Sequence, residues 1–169
     1  MPKKNRFSPM ARAMGFATMA HYGQLDKAGK PYIDHPIAVA NLLILESETV
    51  QIAALLHDVV EDTPAEIGDI HEEFGKTVAD AVEALTRGYT GPDGGWYSKK
   101  RGSHNRKKEA YKDFILRCKK NSIAARVKIA DVTHNLSRMG CLSQDEQEYL
   151  LSKYSGVVEF LMGDNATTY

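Results

Sequence analysis

The chain has 169 residues, 43% hydrophobic and 26% charged, a composition that excludes intrinsic disorder and suits a folded globular protein. Twenty-two Lys and Arg residues balance twenty-two Asp and Glu, so net charge gives no argument for a DNA or RNA partner. The longest apolar run, residues 37–45, falls well short of the roughly 18 residues that a membrane-spanning helix needs. Residues 1–16 have a basic start but neither the apolar stretch nor the cleavage site of a signal peptide. Cys118 and Cys141 are isolated thiols, which suits a reducing compartment. The expectation is a cytoplasmic protein whose residues 1–169 form one domain, with no membrane partner. A chain of this length buries roughly 70% of its surface on folding, so its core needs no disulfides.

In chain order the punctuation is helical. Ser8 and Pro9 read as N-cap and first helical residue, and Gly23 closes a helix near 9–22. His35-Pro36 opens a second to about 45, with Ile37, Ala40, Leu43 and Ile44 as its buried stripe. A third runs from about 49 to 62. Thr63-Pro64-Ala65-Glu66 has the form of a capping box and predicts a fourth that ends before Gly75. A fifth at about 76–87 has Gly88 as its expected C′ residue. Residues 88–105 hold five glycines, one proline and no hydrophobic period, which predicts a long loop. Helices resume at about 106–119 and 122–138, and a second capping box, Ser143 to Glu146, starts a C-terminal packing helix at about 143–163. The fold class is all-α, a compact bundle of about eight helices.

Charge is segregated even though it sums to zero. Eight carboxylates and one lysine lie between Asp58 and Asp80, and six Lys or Arg residues without an acid lie between Lys99 and Lys108. A solvated face is the ordinary meaning of such runs. The functional reading is a basic segment over a site for an anionic, phosphorylated ligand.

The strongest chemical feature is LLHDVVEDT at 55–63. On a helix His57 and Asp58 are about 100° apart, and Glu61 stands one turn beyond both, with Asp62 one turn beyond Asp58. So many ionisable groups beside an apolar stretch are costly to bury unless a cation compensates them. His35 and Asp131, an acid within the apolar stretch RVKIADVTHNL, are the proposed partners of His57 and Asp58. Two nitrogen and two carboxylate donors suit manganese, iron or zinc rather than calcium. The alternative reading makes His35 a helix cap and pairs Asp131 with Lys128 or Arg138.

The order AHYGQLDKAGKPYIDHPIAVA, AALLHDVVEDT, FGKTVADAVEALT and VKIADVTHNL resembles the hydrolase domain of the RelA/SpoT family over residues 10–138. It looks most like the stand-alone small alarmone hydrolases, which are HD-superfamily phosphohydrolases. The resemblance implies an HD-domain helical bundle and one manganese ion per chain held by His35, His57, Asp58 and Asp131. It implies catalysis by Glu61 and Asp62, substrate contact by Lys27, and nucleoside contact by Asn135, with Arg138 added here as an offset to phosphate charge. The implied reaction is hydrolysis of the 3′-pyrophosphate of (p)ppGpp, giving GDP or GTP and pyrophosphate. Oligomeric state is left open. His21 and His134 match positions outside the ligand set, His71 and His104 are expected at the surface, and neither cysteine has the setting of a nucleophile.

Three departures bear on the base pocket. Asp26 stands where the family commonly has arginine, Val132 replaces the arginine of its ADRxHN motif, and Ser137-Arg138 replaces arginine followed by threonine. Asp26 is expected either to accept hydrogen bonds from guanine or to shift the pocket toward another base. The rival readings are a phosphohydrolase of NADPH or a pyrophosphorylated adenosine compound, a non-enzymatic alarmone binder, and an antitoxin-like regulator that uses residues 88–108.

Overall fold

Six of the nine residues of one helix, Glu48–Leu56, are buried, among them Val50, Ile52, Leu55 and Leu56. A helix apolar on nearly all sides belongs at the centre of a core. The computed structural model describes residues 7–92, 95–98 and 106–163. Within them the helices are α1 (Pro9–Ala20), α2 (Asp34–Leu42), α3 (Glu48–Leu56), α4 (Val59–Asp62), α5 (Ile67–Phe74), α6 (Lys76–Leu85), α7 (Tyr111–Lys119), α8 (Ser122–Ser137), α9 (Gln144–Tyr154) and α10 (Val157–Met162). Eight of these described helices have eight residues or more, as the sequence predicts, and α4 and α10 are shorter. Helix α3 packs against α1, α2, α6 and α8, and α8 also packs against α2, α7 and α10. No helix among the described residues is long and apolar enough to cross a membrane.

The predicted caps hold at two helices. Ser8 accepts from the Ala11 N–H ahead of α1, and Ser143 and Glu146 cap α9 reciprocally. Elsewhere the boundaries differ, each for a local reason. The helix expected over 49–62 breaks at His57-Asp58, where the His57 ring takes the Ala54 carbonyl at 2.7 Å. That carbonyl is the acceptor a continuing helix would offer to the backbone of Asp58. Thr63 does not cap α5: its hydroxyl donates back to Val59, and Glu66 is the N-cap, with its N–H donating to Asp69 at 2.8 Å. The helix expected over 143–163 is interrupted by Gly156, whose φ of 70° ends α9 before α10 begins.

Within the segment expected to be a loop, 88–105, the described residues 89–90 and 96–97 are strands of a small antiparallel sheet. Strands β1 (Tyr89–Thr90), β2 (Trp96–Tyr97) and β3 (Lys107–Lys108) lie in the order β2-β1-β3. The helix predicted from 106 therefore starts only at Tyr111. Buried Glu109 ties the sheet to the helices, accepting from Trp96 Nε1 and the Gly88 N–H at 3.3 Å and from two nitrogens of Arg117 at 2.7 and 3.1 Å. Gly88 is not a helix terminus. A Cβ there would meet the Trp96 ring and the Tyr97 carbonyl at 2.5 Å, so close approach requires the glycine. Half of the six cations of the basic run, Lys99, Lys100 and Arg101, lie with His104 outside the described residues.

Candidate metal centre

Three separate elements bring four predicted donors together. His35 lies in α2, His57 and Asp58 form the break between α3 and α4, and Asp131 lies in α8. His35 Nε2 is 3.2 Å from His57 Nε2, 3.4 Å from Asp58 Oδ2 and 3.2 Å from Asp131 Oδ1. His57 Nε2 is 3.1 Å from Asp58 Oδ2 and 3.9 Å from Asp131 Oδ1. Ligand distances of about 2.0–2.2 Å place neighbouring donors of a single ion roughly 3–3.5 Å apart. His35, His57 and Asp58 offer donor atoms that all lie within 4.8 Å of one another.

The hydrogen bonds behind the rings aim their lone pairs inward. A carbonyl only accepts, so His57 donates to Ala54 from Nδ1 and presents Nε2 to the cluster. His35 Nδ1 lies 2.8 Å from His134 Nδ1. Burial, then the charges of His35 and Arg138, hold His134 toward its neutral form, so it can accept that proton while His35 Nε2 faces inward. Two imidazole lone pairs and the Asp58 oxygen then converge, with Asp131 Oδ1 reaching the two histidines from α8 but outside that tight group, and the cluster demands positive charge. Without a cation, protons supply it. Burial alone would favour a neutral His35, but Asp131 and Asp58 outweigh it and push the ring up to about 9. Burial likewise opposes a charged His57, and Asp58 again prevails. A divalent ion answers the same demand without protons, and the donor set fits one.

Asp131 reconciles the two readings made of it. Its Oδ1 faces the histidines, and its Oδ2 accepts from the buried Lys128 at 2.7 Å. Arg138 is elsewhere. It is bonded to Asp26, whose other oxygen accepts from Ala28 and Lys30 at 2.9 and 2.8 Å. The Arg138 hydrogen bond, then that of Lys30, holds the Asp26 carboxyl below the usual range. Asp26 thus closes the 26–30 turn and anchors an arginine, and the carboxylate expected to meet a base is already engaged. Lys27 pairs with Glu146 of α9, and Asn135 donates to Asp131 Oδ1 at 2.6 Å.

Glu61 and Asp62 differ in their surroundings. Glu61 Oε2 accepts from the Arg87 N–H at 2.8 Å and Oε1 from Lys108 at 2.9 Å. Tyr32 donates to Asp58 Oδ2 at 2.6 Å and to Asp62 Oδ2 at 3.2 Å, bridging the cluster to the acid pair. Burial, with the charges of Asp58 and Glu61, raises the Asp62 carboxyl to about 6. His21 is buried and lies 2.6 Å from Gln24, whose amide donates to the Asp62 carbonyl. His71 is exposed. Cys118 is buried, and burial raises its thiol to about 12, so it is no nucleophile.

A cavity of about 450 Å³ opens over this floor, within the range of small-molecule sites. Lys27, Glu61, Asp62, Asn135 and Arg138 line it together with His35, His57, Asp58 and Asp131. Sequence reasoning did not identify Tyr32, Arg87, Tyr111, Lys153 and Tyr154, which also line it. Tyr32 sits within the quoted segment before His35 but was given no role there, and no quoted motif marks the other four, which other segments deliver.

Known proteins place this architecture. A search of solved structures matches a metazoan orthologue of SpoT, described as hydrolysing ppGpp, at a TM-score of 0.74 and 27% identity, covering 96% of this chain and 90% of that one. A Listeria monocytogenes protein matches at a TM-score of 0.56 and 27% identity, covering 80% and 85%. Among curated sequences, the bifunctional (p)ppGpp synthase/hydrolase SpoT of Escherichia coli is 35% identical over 85% of this chain and 20% of its own length. The guanosine-3′,5′-bis(diphosphate) 3′-pyrophosphohydrolase of Haemophilus influenzae is 37% identical over 76% of this chain and 18% of its own. The chain therefore spans about a fifth of the length of these curated relatives. The HD-domain family model matches residues 13–157, from α1 to the first residue of α10 and across every donor of the cluster. With that match and this His-Asp floor, the chain belongs to the HD-domain family.

Proposed function

We propose that residues 1–169 act as a single cytoplasmic unit, a manganese-dependent phosphohydrolase that removes the 3′-pyrophosphate of (p)ppGpp. The observation that supports it best is the convergence of two histidine nitrogens and two carboxylate oxygens beside an acid pair on one cavity floor. The activities for which the similar proteins are named point to the same substrate. Held by His35, His57, Asp58 and Asp131, a divalent ion supplies Lewis acidity and lowers the pKa of water toward ~7.

The chain's own groups do the rest. Asp62, with a carboxyl near neutrality, takes the proton from the attacking water. Oxygen adds to the phosphorus nearest the ribose, the bond to O3′ breaks, and O3′ regains a proton, giving GDP or GTP and pyrophosphate. Tyr32 holds the Asp58 and Asp62 carboxylates in fixed relation, and the Arg87 N–H and Lys108 orient Glu61. Lys27 and Arg138 are fixed by Glu146 and Asp26, yet each keeps further N–H donors for phosphate oxygens. Asn135 meets the nucleoside. A second reading, hydrolysis of NADPH or an adenosine counterpart, is favoured by Asp26 itself, a carboxylate where the family commonly offers an arginine to guanine.

The deciding experiment measures phosphate and pyrophosphate release from a nucleotide panel, with and without manganese. We expect manganese-dependent pyrophosphate release from ppGpp, with Glu61→Gln and Asp62→Asn keeping metal while losing most of kcat. Release of phosphate from NADPH alone would select the second reading, and no release from any nucleotide would refute both.

A further inference from the structure

Residues 24–32 form a closed loop beside the candidate centre. The Tyr32 N–H donates to the Gln24 carbonyl at 2.9 Å and the Asp26 N–H to that of Lys30 at 2.8 Å, with Leu25 bridged to Pro31 between them. From this loop Asp62 is held at two points. Tyr32 donates its hydroxyl to Asp62 Oδ2 at 3.2 Å, and the Gln24 side-chain amide donates to the Asp62 backbone carbonyl at 2.9 Å. That carbonyl needs an outside donor. Asp62 is the last residue of the four-residue α4, and the chain leaves it extended at Thr63, so the helix supplies no N–H there. The next N–H groups, of Ala65 and Glu66, are taken by the Thr63 hydroxyl and by Asp69.

The same carbonyl fixes how the amide is turned. A carbonyl only accepts, so Gln24 points its NH2 group at Asp62 and its Oε1 at His21, whose Nδ1 then donates across 2.6 Å. His21 is buried, its ring lies 5.0 Å from that of Tyr32, and its Nε2 has no hydrogen-bond partner among the described residues. An unpaired buried nitrogen is costly, so the polar contact that this ring does make, with Gln24, stands out as its role.

We infer that Gln24, oriented by His21, is a positioning residue for the reaction. Its amide fixes the backbone of Asp62, and with it the carboxylate that takes the proton from water. The inference rests on the hydrolase reading above and deepens it by naming what holds the base in place. Gln24 lies outside the cavity lining, so it acts on turnover through Asp62 and not through the nucleotide. A carboxylate tethered only by Tyr32 swings with the frayed end of a one-turn helix. Tethered at its carbonyl as well, it keeps one distance to the centre, and a misplaced proton acceptor slows the chemical step without weakening substrate binding.

Two replacements separate the two bonds of the amide. Gln24→Glu keeps an acceptor for His21 Nδ1 and loses the donor to Asp62, whereas Gln24→Met loses both. With manganese-loaded protein and ppGpp, each should lower kcat about fivefold to tenfold while KM and manganese affinity stay within about twofold. Hydrogen–deuterium exchange reads the tether without turnover: the amides of residues 59–63 should exchange faster in both variants, and those of α8 at the wild-type rate. Wild-type kcat in both variants, a loss confined to Gln24→Met, unchanged exchange over 59–63, or an equal loss of manganese affinity would overturn the inference. If no nucleotide is hydrolysed but exchange over 59–63 rises in both variants, the tether to Asp62 stands and the hydrolase reading fails. If ppGpp is hydrolysed and Gln24→Glu turns over as the wild type does, the reading stands and the inference falls.

Discussion

Asp131 has two buried obligations, one oxygen toward the histidines and one toward Lys128. Burial would neutralise Lys128, but Asp131 overrides it and keeps the ammonium charged. Asp131→Asn therefore strands a buried cation as well as removing a ligand-type oxygen. In chelator-treated protein we expect it to cost about 3–5 kcal/mol in urea unfolding, with Lys128→Met added to the same chain recovering much of that loss. The thiols give a second check. Cys118 is buried with its pKa raised to about 12, whereas Cys141 is exposed. Folded protein at pH 8 should titrate one thiol rapidly with Ellman's reagent, and denatured protein two. Because the folded pKa of Cys118 lies above that of the free thiol, its contribution to stability is full below pH ~9 and fades as pH climbs toward 12. The donor set was legible in the sequence because local spacing and the apolar surroundings of each acid expose it. Lys153 and Tyr111 were not, since nothing in YLLSKY or KEAYKD distinguishes a cavity wall from a solvated helix face.

The sheet explains three of the misread elements, the loop over 88–105, the helix start at 106 and Gly88 as a helix terminus. Two-residue strands are too short to show alternation, and their pairing is set by tertiary contacts such as those of Glu109. Helix boundaries were legible where one side chain caps its own helix, as at Ser8 and Ser143. They were not where a side chain captures a carbonyl from within the helix, as His57 does. Gly88 offers a test of the sheet. Gly88→Ala forces a methyl group into the Trp96 ring and the Tyr97 carbonyl, and we expect a loss of about 1–3 kcal/mol in urea unfolding. Trp96 is the sole tryptophan, so its emission should shift to the red as β2 leaves β1. An unshifted spectrum with unchanged stability would show that Gly88 is not closely packed.

Taken as a whole, the molecule gathers its metal-type donors from α2, the α3–α4 break and α8, so a bound ion ties three elements that helix packing alone already brings together. At a free metal concentration one hundred times Kd, binding adds about 2.7 kcal/mol. For a chain of this size that corresponds to roughly 5–10 °C in Tm. Manganese should raise Tm by this amount and a chelator should reverse it, whereas Asp58→Asn should show little response to either. Equal responses in both proteins would place the metal elsewhere.

The distance along the chain between the first and last donors matters for the order in which a nascent polypeptide becomes functional. His35, His57 and Asp58 leave the ribosome early, and at about 5–20 residues per second several seconds pass before Asp131 follows. Until α8 docks, the emerging segment presents three donors with no fourth wall and no Lys128 behind it. On this order of synthesis the proposed chelate closes only when α8 docks against α2 and α3, so metal uptake by the growing chain would wait on one late helix.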